Sequence, residues 1–139
     1  MFVLDTNVLS AMMSAKPARE VAAWLLDRPS EELFTVAVCQ AEILAGIAVL
    51  PAGRRRSELA AAARAMFIEE FEGRVLPFDM DAAAAYAELF AARRKAGRPT
   101  ATIDLMIAAI ARVRGASVVT RNVADFQECG LSVIDPWGG

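Results

Sequence analysis

The chain contains no histidine, and this excludes histidine general bases, serine or cysteine triads that depend on one, and zinc sites built on imidazole. Its two cysteines, Cys39 and Cys129, stand far apart without CxxC spacing, so neither a thiolate metal site nor a redox dithiol is supported, and both read as small buried apolar residues. Lysine is nearly absent: Lys16 and Lys95 stand against 13 arginines. No uncharged apolar run approaches the roughly 18 residues of a membrane span. The N-terminus passes from Met1 straight into Phe2-Val3-Leu4 without a basic leader, so the expectation is a cytoplasmic protein with no membrane contact. A net charge of −2 and a pI near 5.2 are not the footprint of a strong non-specific nucleic-acid binder. Any such binding must use local patches, for which Arg54-Arg55-Arg56, Arg93-Arg94-Lys95 with Arg98, and Arg121 are the candidates, although such runs are commonly solvated helix ends.

What is present is a globular composition leaning apolar, with 56% hydrophobic and 23% charged residues in a chain of 139. That length suits one core and one domain over residues 1–139, with an apolar excess that an oligomer interface could absorb. Short apolar runs rich in β-branched or aromatic residues read as buried parallel strands at Phe2–Leu4, Phe34–Val38, Val75–Phe78, Val118–Thr120 and Ser132–Ile134. Helical periods fill the intervals at Val8–Met13, Ala18–Asp27, Gln40–Val49, Arg55–Glu72, Met80–Ala96 and Ile103–Arg114. Alternating strands and helices imply an α/β fold: a single-domain three-layer α/β/α sandwich around a central parallel sheet.

Carboxylates therefore carry the available chemistry, and their placement is unusual. Asp5 is the only charge between Met1 and Ala15, Glu42 the only one from Leu33 to Gly53, and Asp104 the only one from Pro99 to Ala111. Burying an isolated carboxylate costs several kcal/mol unless it is paired or holds a metal, so convergence on a cation explains all three together. Oxygen ligands select hard cations, and Mg²⁺ or Mn²⁺ suits a few carboxylates that leave room for water and a phosphate ester. In parallel sheets ligands bind beyond the carboxyl ends of the strands. Asp5 falls there after strand one, and Asn122 and Asp125 after the Ser117–Thr120 strand. Asp104 falls in a first helical turn with Thr102 as its expected N-cap, and Glu42 is expected to face inward from the helix after strand two. Each also has a plainer role. Asp5 and Asp104 suit a helix start, Thr6 and Asn7 a turn, and Asn122 and Asp125 a polar loop.

LDTNVL at the N-terminus, AEILAG around Glu42, DLMIAA around Asp104 and TRNVADF from Thr120 resemble, in order and spacing, the successive motifs of PIN-domain ribonucleases. The resemblance runs over almost the whole chain and is greatest to the VapC-type, FitB-like toxins of bacterial toxin–antitoxin pairs, whose short chains also end in a Pro-Trp such as Pro136-Trp137. It implies a PIN-like fold and a Mg²⁺- or Mn²⁺-dependent endoribonuclease. Its catalytic acids would be Asp5, Glu42, Asp104 and Asp125, and its metal ligands Asp5, Asp104, Glu42 and Asn122. Thr6, Asn7 and Thr120 would support the site, with Arg121 beside it for substrate. The sequence departs from FitB-like chains where Asn122, not Asp, follows Thr120-Arg121 and the carboxylate comes three residues later as Asp125. One tight cation with a weaker, substrate-assisted second is the expectation that follows.

The resemblance also implies an RNA substrate, a homodimer, and a cognate antitoxin that blocks the pocket and makes any DNA contact indirect. Trp24, Leu25 and the helix Gln40–Leu50 are candidates for the antitoxin groove. Phosphotransfer domains of the receiver or haloacid-dehalogenase type also place Asp after strand one, but both want a late lysine, which is missing after Asp104, and the dehalogenase pattern wants Asp where Asn7 stands. The alternative that remains is a non-catalytic PIN-like partner-binding module with a vestigial acidic pocket.

Overall fold

The computed structural model describes residues 1–138. Five short strands, β1 (Phe2–Leu4), β2 (Leu33–Val36), β3 (Val75–Leu76), β4 (Ser117–Val119) and β5 (Val133–Ile134), form one sheet in the order β3-β2-β1-β4-β5. Every pairing is parallel; Phe2 pairs with Leu33 on one side and with Ser117 on the other. Val3 and Leu4 in β1, and Val118 and Val119 in β4, are successive residues pointing to opposite faces, and all four are fully buried. Both faces of the sheet are therefore covered, as the expected three-layer arrangement requires.

The helices are α1 (Thr6–Met13), α2 (Arg19–Leu26), α3 (Ala37–Ala48), α4 (Arg54–Ala65), α5 (Met80–Lys95), α6 (Thr102–Arg114) and α7 (Val123–Phe126). The apolar run of α6 buries Leu105, Ile107, Ala108, Ile110 and Ala111, and α5 packs along it. The helix stops where Gly115 takes the left-handed conformation that only glycine adopts freely, at φ 65°. The chain visits β1, β2 and β3 on one side and returns to β4 and β5 on the other. The order thus reverses between β1 and β4, and a crevice opens at their carboxyl ends.

Several boundaries differ from the sequence expectation for local reasons. Strand two ends at Val36, and α3 begins at once with Ala37, so that Val38 and Cys39 are buried positions of the helix. The expected single helix Arg55–Glu72 is α4 followed by a π turn over Met66–Glu70, closed by the Phe71 N–H on the Met66 carbonyl. The wider turn buries Met66, Phe67 and Phe71 together. Arg74 then ties it to the start of β2 by donating to the carbonyls of Glu70, Ser30 and Leu33. Thr102 is the first residue of α6 and not its cap; the N-cap is Ala101, which supplies no side-chain bond. The polar loop expected after β4 is the short helix α7.

Candidate active site

Asp5 leaves β1 at the crevice, its N–H extending the β1–β4 ladder to the Val119 carbonyl at 3.0 Å. Its side chain also caps α1, since Oδ1 accepts the Thr6 N–H at 2.7 Å, so the helix-cap role and the site role coincide in one residue. The Cys39 thiol reaches the same oxygen at 3.9 Å. Oδ2 accepts the Thr120 hydroxyl at 2.7 Å. Thr120 Oγ1 in turn accepts from Asn7 Nδ2 at 3.3 Å and from the Asn122 N–H at 3.0 Å. A hydroxyl has two lone pairs and one proton. With both lone pairs engaged, the Thr120 proton must go to Asp5, and the direction of the chain Asn7, Thr120, Asp5 is set. Asn7 is itself anchored, its Oδ1 accepting the Arg121 N–H at 3.4 Å.

Asp5 is only 3% exposed. Burial pushes its pKa up and the Glu42 charge adds to this, while the bonds from Thr120, Thr6 and Cys39 oppose it by favouring the carboxylate. Asp104, half-buried in the first turn of α6, is pushed up to about 6, first by burial and then by the charges of Asp5, Asp125 and Glu42. Four acids that lie far apart in sequence therefore act on one another across the crevice.

The remaining candidates lie at its mouth. Glu42 is exposed on α3, contrary to the inward orientation expected, because the inner face of that helix is taken by Val38, Cys39, Ile43 and Ile47. It is held instead from the side, Thr6 Oγ1 donating to Oε1 at 2.6 Å. Asp125 is exposed in α7, and Asn122 is the exposed N-cap residue of that helix with no side-chain bond to it. Arg121 is exposed, with its guanidinium over the Trp137 ring at 5.1 Å.

Cys39 is the site residue that composition missed. It was expected to be a buried apolar residue, and it is fully buried with a thiol pushed up to about 12, chiefly by burial, but its S–H points at Asp5. Its spacing of three from Glu42 places both on neighbouring positions of one helix, and that is the signal that could have found it.

A groove of about 380 Å³ runs from Thr6 and Glu42 between α1, α3 and α4, over Met13, Ile43, Gly46, Ile47, Leu50 and Leu59. Of the groove candidates named from sequence, the α3 residues line it, whereas Trp24 packs edge-on against Phe2 under Arg28 and Leu25 faces a separate hollow beside Pro17.

Among the described residues no group of three or more His, Cys, Asp or Glu side chains encloses a metal position as it stands. The donor set nevertheless fits a hard divalent ion in kind. Asp5, Glu42, Asp104 and Asp125 each supply a carboxylate oxygen and Asn122 a neutral one, among the described residues none of the four acids is in a salt bridge, and magnesium is commonly held by one or two carboxylates with water and phosphate completing its shell.

Comparison with known proteins agrees with this geometry. Residues 2–129 match the family model described as PIN domain. The chain is 40% identical over 137 residues to the VapC ribonuclease Y4jK of Sinorhizobium fredii, covering 99% of this chain and 98% of that protein. It is 34% identical over 137 residues to the toxin FitB of Neisseria gonorrhoeae, covering 99% of each. Among solved structures, a FitAB complex bound to a DNA fragment superposes with a TM-score of 0.93 at 33% identity, over 100% of this chain and 97% of that one.

Proposed function

The chain belongs to the PIN-domain family, in its VapC and FitB group, and from that premise we propose that it is a Mg²⁺- or Mn²⁺-dependent endoribonuclease, the toxin of a toxin–antitoxin pair acting in the cytoplasm. What supports the reading is that Asp5, Asp125 and Glu42, far apart in sequence, all act on the Asp104 carboxyl, whose pKa is pushed up to about 6 first by burial and then by those charges. Among the described residues none of these acids is in a salt bridge, and such a cluster is unfavourable for an empty protein and favourable for one that receives a cation and a phosphodiester.

Asp5 and Asp104 would hold the ion from the two walls of the crevice, with Glu42 at its mouth and Asp125 in place of the acid that Asn122 does not supply. When bound, the ion supplies Lewis-acid stabilisation of the charge that develops on phosphate oxygens during in-line hydrolysis. The chain's own contribution is order. Thr120, Thr6 and Cys39 fix both oxygens of Asp5, Thr6 steers Glu42, and the Asn7–Thr120 link locks the β4 loop to α1. A carboxylate of the cluster that stays free of the ion can take the proton of the attacking water.

An apolar segment of a cognate antitoxin fits the groove that begins at Thr6 and Glu42, where it would block the crevice. The outer face of α3, with Ala41, Leu44, Ala45, Ala48 and Val49 exposed, offers the apolar surface a homodimer needs. Residues 1–139 act as one domain in this scheme.

Cleavage of a mixed tRNA and ribosomal RNA pool by antitoxin-free protein, with EDTA and Asp5→Asn controls, tests the reading. Turnover in Mg²⁺ lost in both controls supports it. Absence of any Mg²⁺-dependent turnover leaves the chain a partner-binding module with a vestigial pocket.

A further inference from the structure

Arg93, near the end of α5, belongs to one of the basic runs named as candidate nucleic-acid patches, although such runs are commonly solvated helix ends; it is only 8% exposed. Its Nε donates to Thr100 Oγ1 at 2.8 Å and its Nη1 to the Gln127 carbonyl at 2.6 Å, both neutral acceptors. Among the described residues no carboxylate lies within salt-bridge distance of it, although Arg98 and Arg112 nearby both have one, in Glu128 and Glu88. Among the described residues Nη2 has no hydrogen-bond partner and is not sealed from solvent, and Arg93 lines a cavity. A buried cation without a counter-charge is costly, and an anion from outside the chain would offset that cost.

The cavity has about 310 Å³ and is lined by Phe90, Arg93, Arg94, Pro99, Thr100 and Leu105, without an acid among them. In a chain of net charge −2 that is a local reversal of sign. Phe90 is 44% exposed and backed by Tyr86, with ring centroids 6.1 Å apart and planes 25° apart, which gives it a supported face. The cavity lies close along the chain to the acid site: Leu105, which lines it, follows Asp104 in α6, about 3.8 Å away between Cα atoms, and Thr100 stands just before the same helix. A supported aromatic face in a cavity of this volume that two arginines also line matches a nucleotide, with the base stacked and the phosphate charge-paired.

We propose that this cavity is an RNA subsite next to the cleavage centre, in which Arg93 and Arg94 hold a phosphate of the strand flanking the scissile bond and Phe90 stacks its base. The proposal rests on the ribonuclease reading and names where the substrate strand leaves the crevice.

The test uses Phe90→Ala and Arg94→Ala, both at exposed positions, with Arg93→Gln as a third variant and Arg19→Ala on α2 as a remote control, each checked by thermal melting. A fluorescent single-stranded 2′-O-methyl RNA is titrated by anisotropy across a salt series, and KM and kcat are measured on cleavable RNA. Phe90→Ala is expected to weaken binding about tenfold. Arg94→Ala is expected to lower the salt slope by about one. Both should raise KM with kcat held and melting unchanged, while Arg19→Ala behaves as wild type. Wild-type cleavage with KM and salt slope unmoved in both variants overturns the subsite and leaves the ribonuclease reading standing. A wild type that neither binds nor cleaves RNA overturns both. Loss of antitoxin binding with RNA affinity intact reassigns the cavity to a protein contact and likewise overturns the subsite.

Discussion

Asp104→Asn should make the metal-free protein more stable while removing its response to metal. In the native state Asp104 is raised from 3.8 to about 6, so the folded chain holds this proton to higher pH than the unfolded chain does. Its contribution to stability is then fully present below about pH 4 and is lost as pH rises through about 6. At neutral pH the wild type carries the whole penalty. The interval from 3.8 to about 6 corresponds to about 3 kcal/mol for a sealed group, at about 1.36 kcal/mol per pH unit. The carboxylate is only half-buried, and water screening reduces this to about 1 kcal/mol. An amide of the same shape removes burial of charge and repulsion by Asp5, Asp125 and Glu42 together, so Tm in EDTA at neutral pH should rise by about 3–4 °C. Added Mg²⁺ reverses the ranking: at ten times its dissociation constant a ligand contributes about 1.4 kcal/mol to the wild type, and the variant loses most of that. Differential scanning calorimetry between pH 4 and pH 8, with EDTA or Mg²⁺, reads both effects. A lower Tm for Asp104→Asn in EDTA at neutral pH, or wild-type and variant profiles that stay parallel from pH 4 to pH 6, would refute the electrostatic account of the cluster.

Two further outcomes follow from the same geometry. Thr120→Val keeps the shape of a fully buried side chain but removes the hydroxyl that Asp5, Asn7 and Asn122 share. It should cost about 1–3 kcal/mol by urea denaturation and sharply reduce cleavage, whereas Thr120→Ser retains both. Cys39 and Cys129 are buried with their thiols pushed up, Cys39 to about 12, so a thiol reagent at neutral pH should label neither in the native protein, and labelling should follow unfolding.

The strand–helix alternation and the parallel sheet were legible because each rests on a local signal, an apolar run or a helical period, and the lone acids stood out as charges where none is expected. What stayed illegible depended on packing. Glu42 lies in a segment otherwise free of charge, and this suggested an inward side chain. The inward positions of α3 were already taken, and Thr6 captured the carboxylate at the mouth instead. Thr102 looked like a cap, but the chain enters α6 one residue earlier, at Ala101. The interruption of α4 by a π turn accompanies the burial of Met66, Phe67 and Phe71 in the core, a demand that no propensity of these residues announces.

Composition alone excluded imidazole and dithiol chemistry, and motif order alone identified the family, since both depend only on which residues are present and in what sequence. The tertiary structure decided which of them meet. The reversal of strand order between β1 and β4 brings Asp5 to Thr120, and burial orients that hydroxyl because an unmet hydrogen bond is costly away from water. The burial of Arg93 without a carboxylate partner could not be read along the chain, because burial and partnership are properties of neighbours far away in sequence.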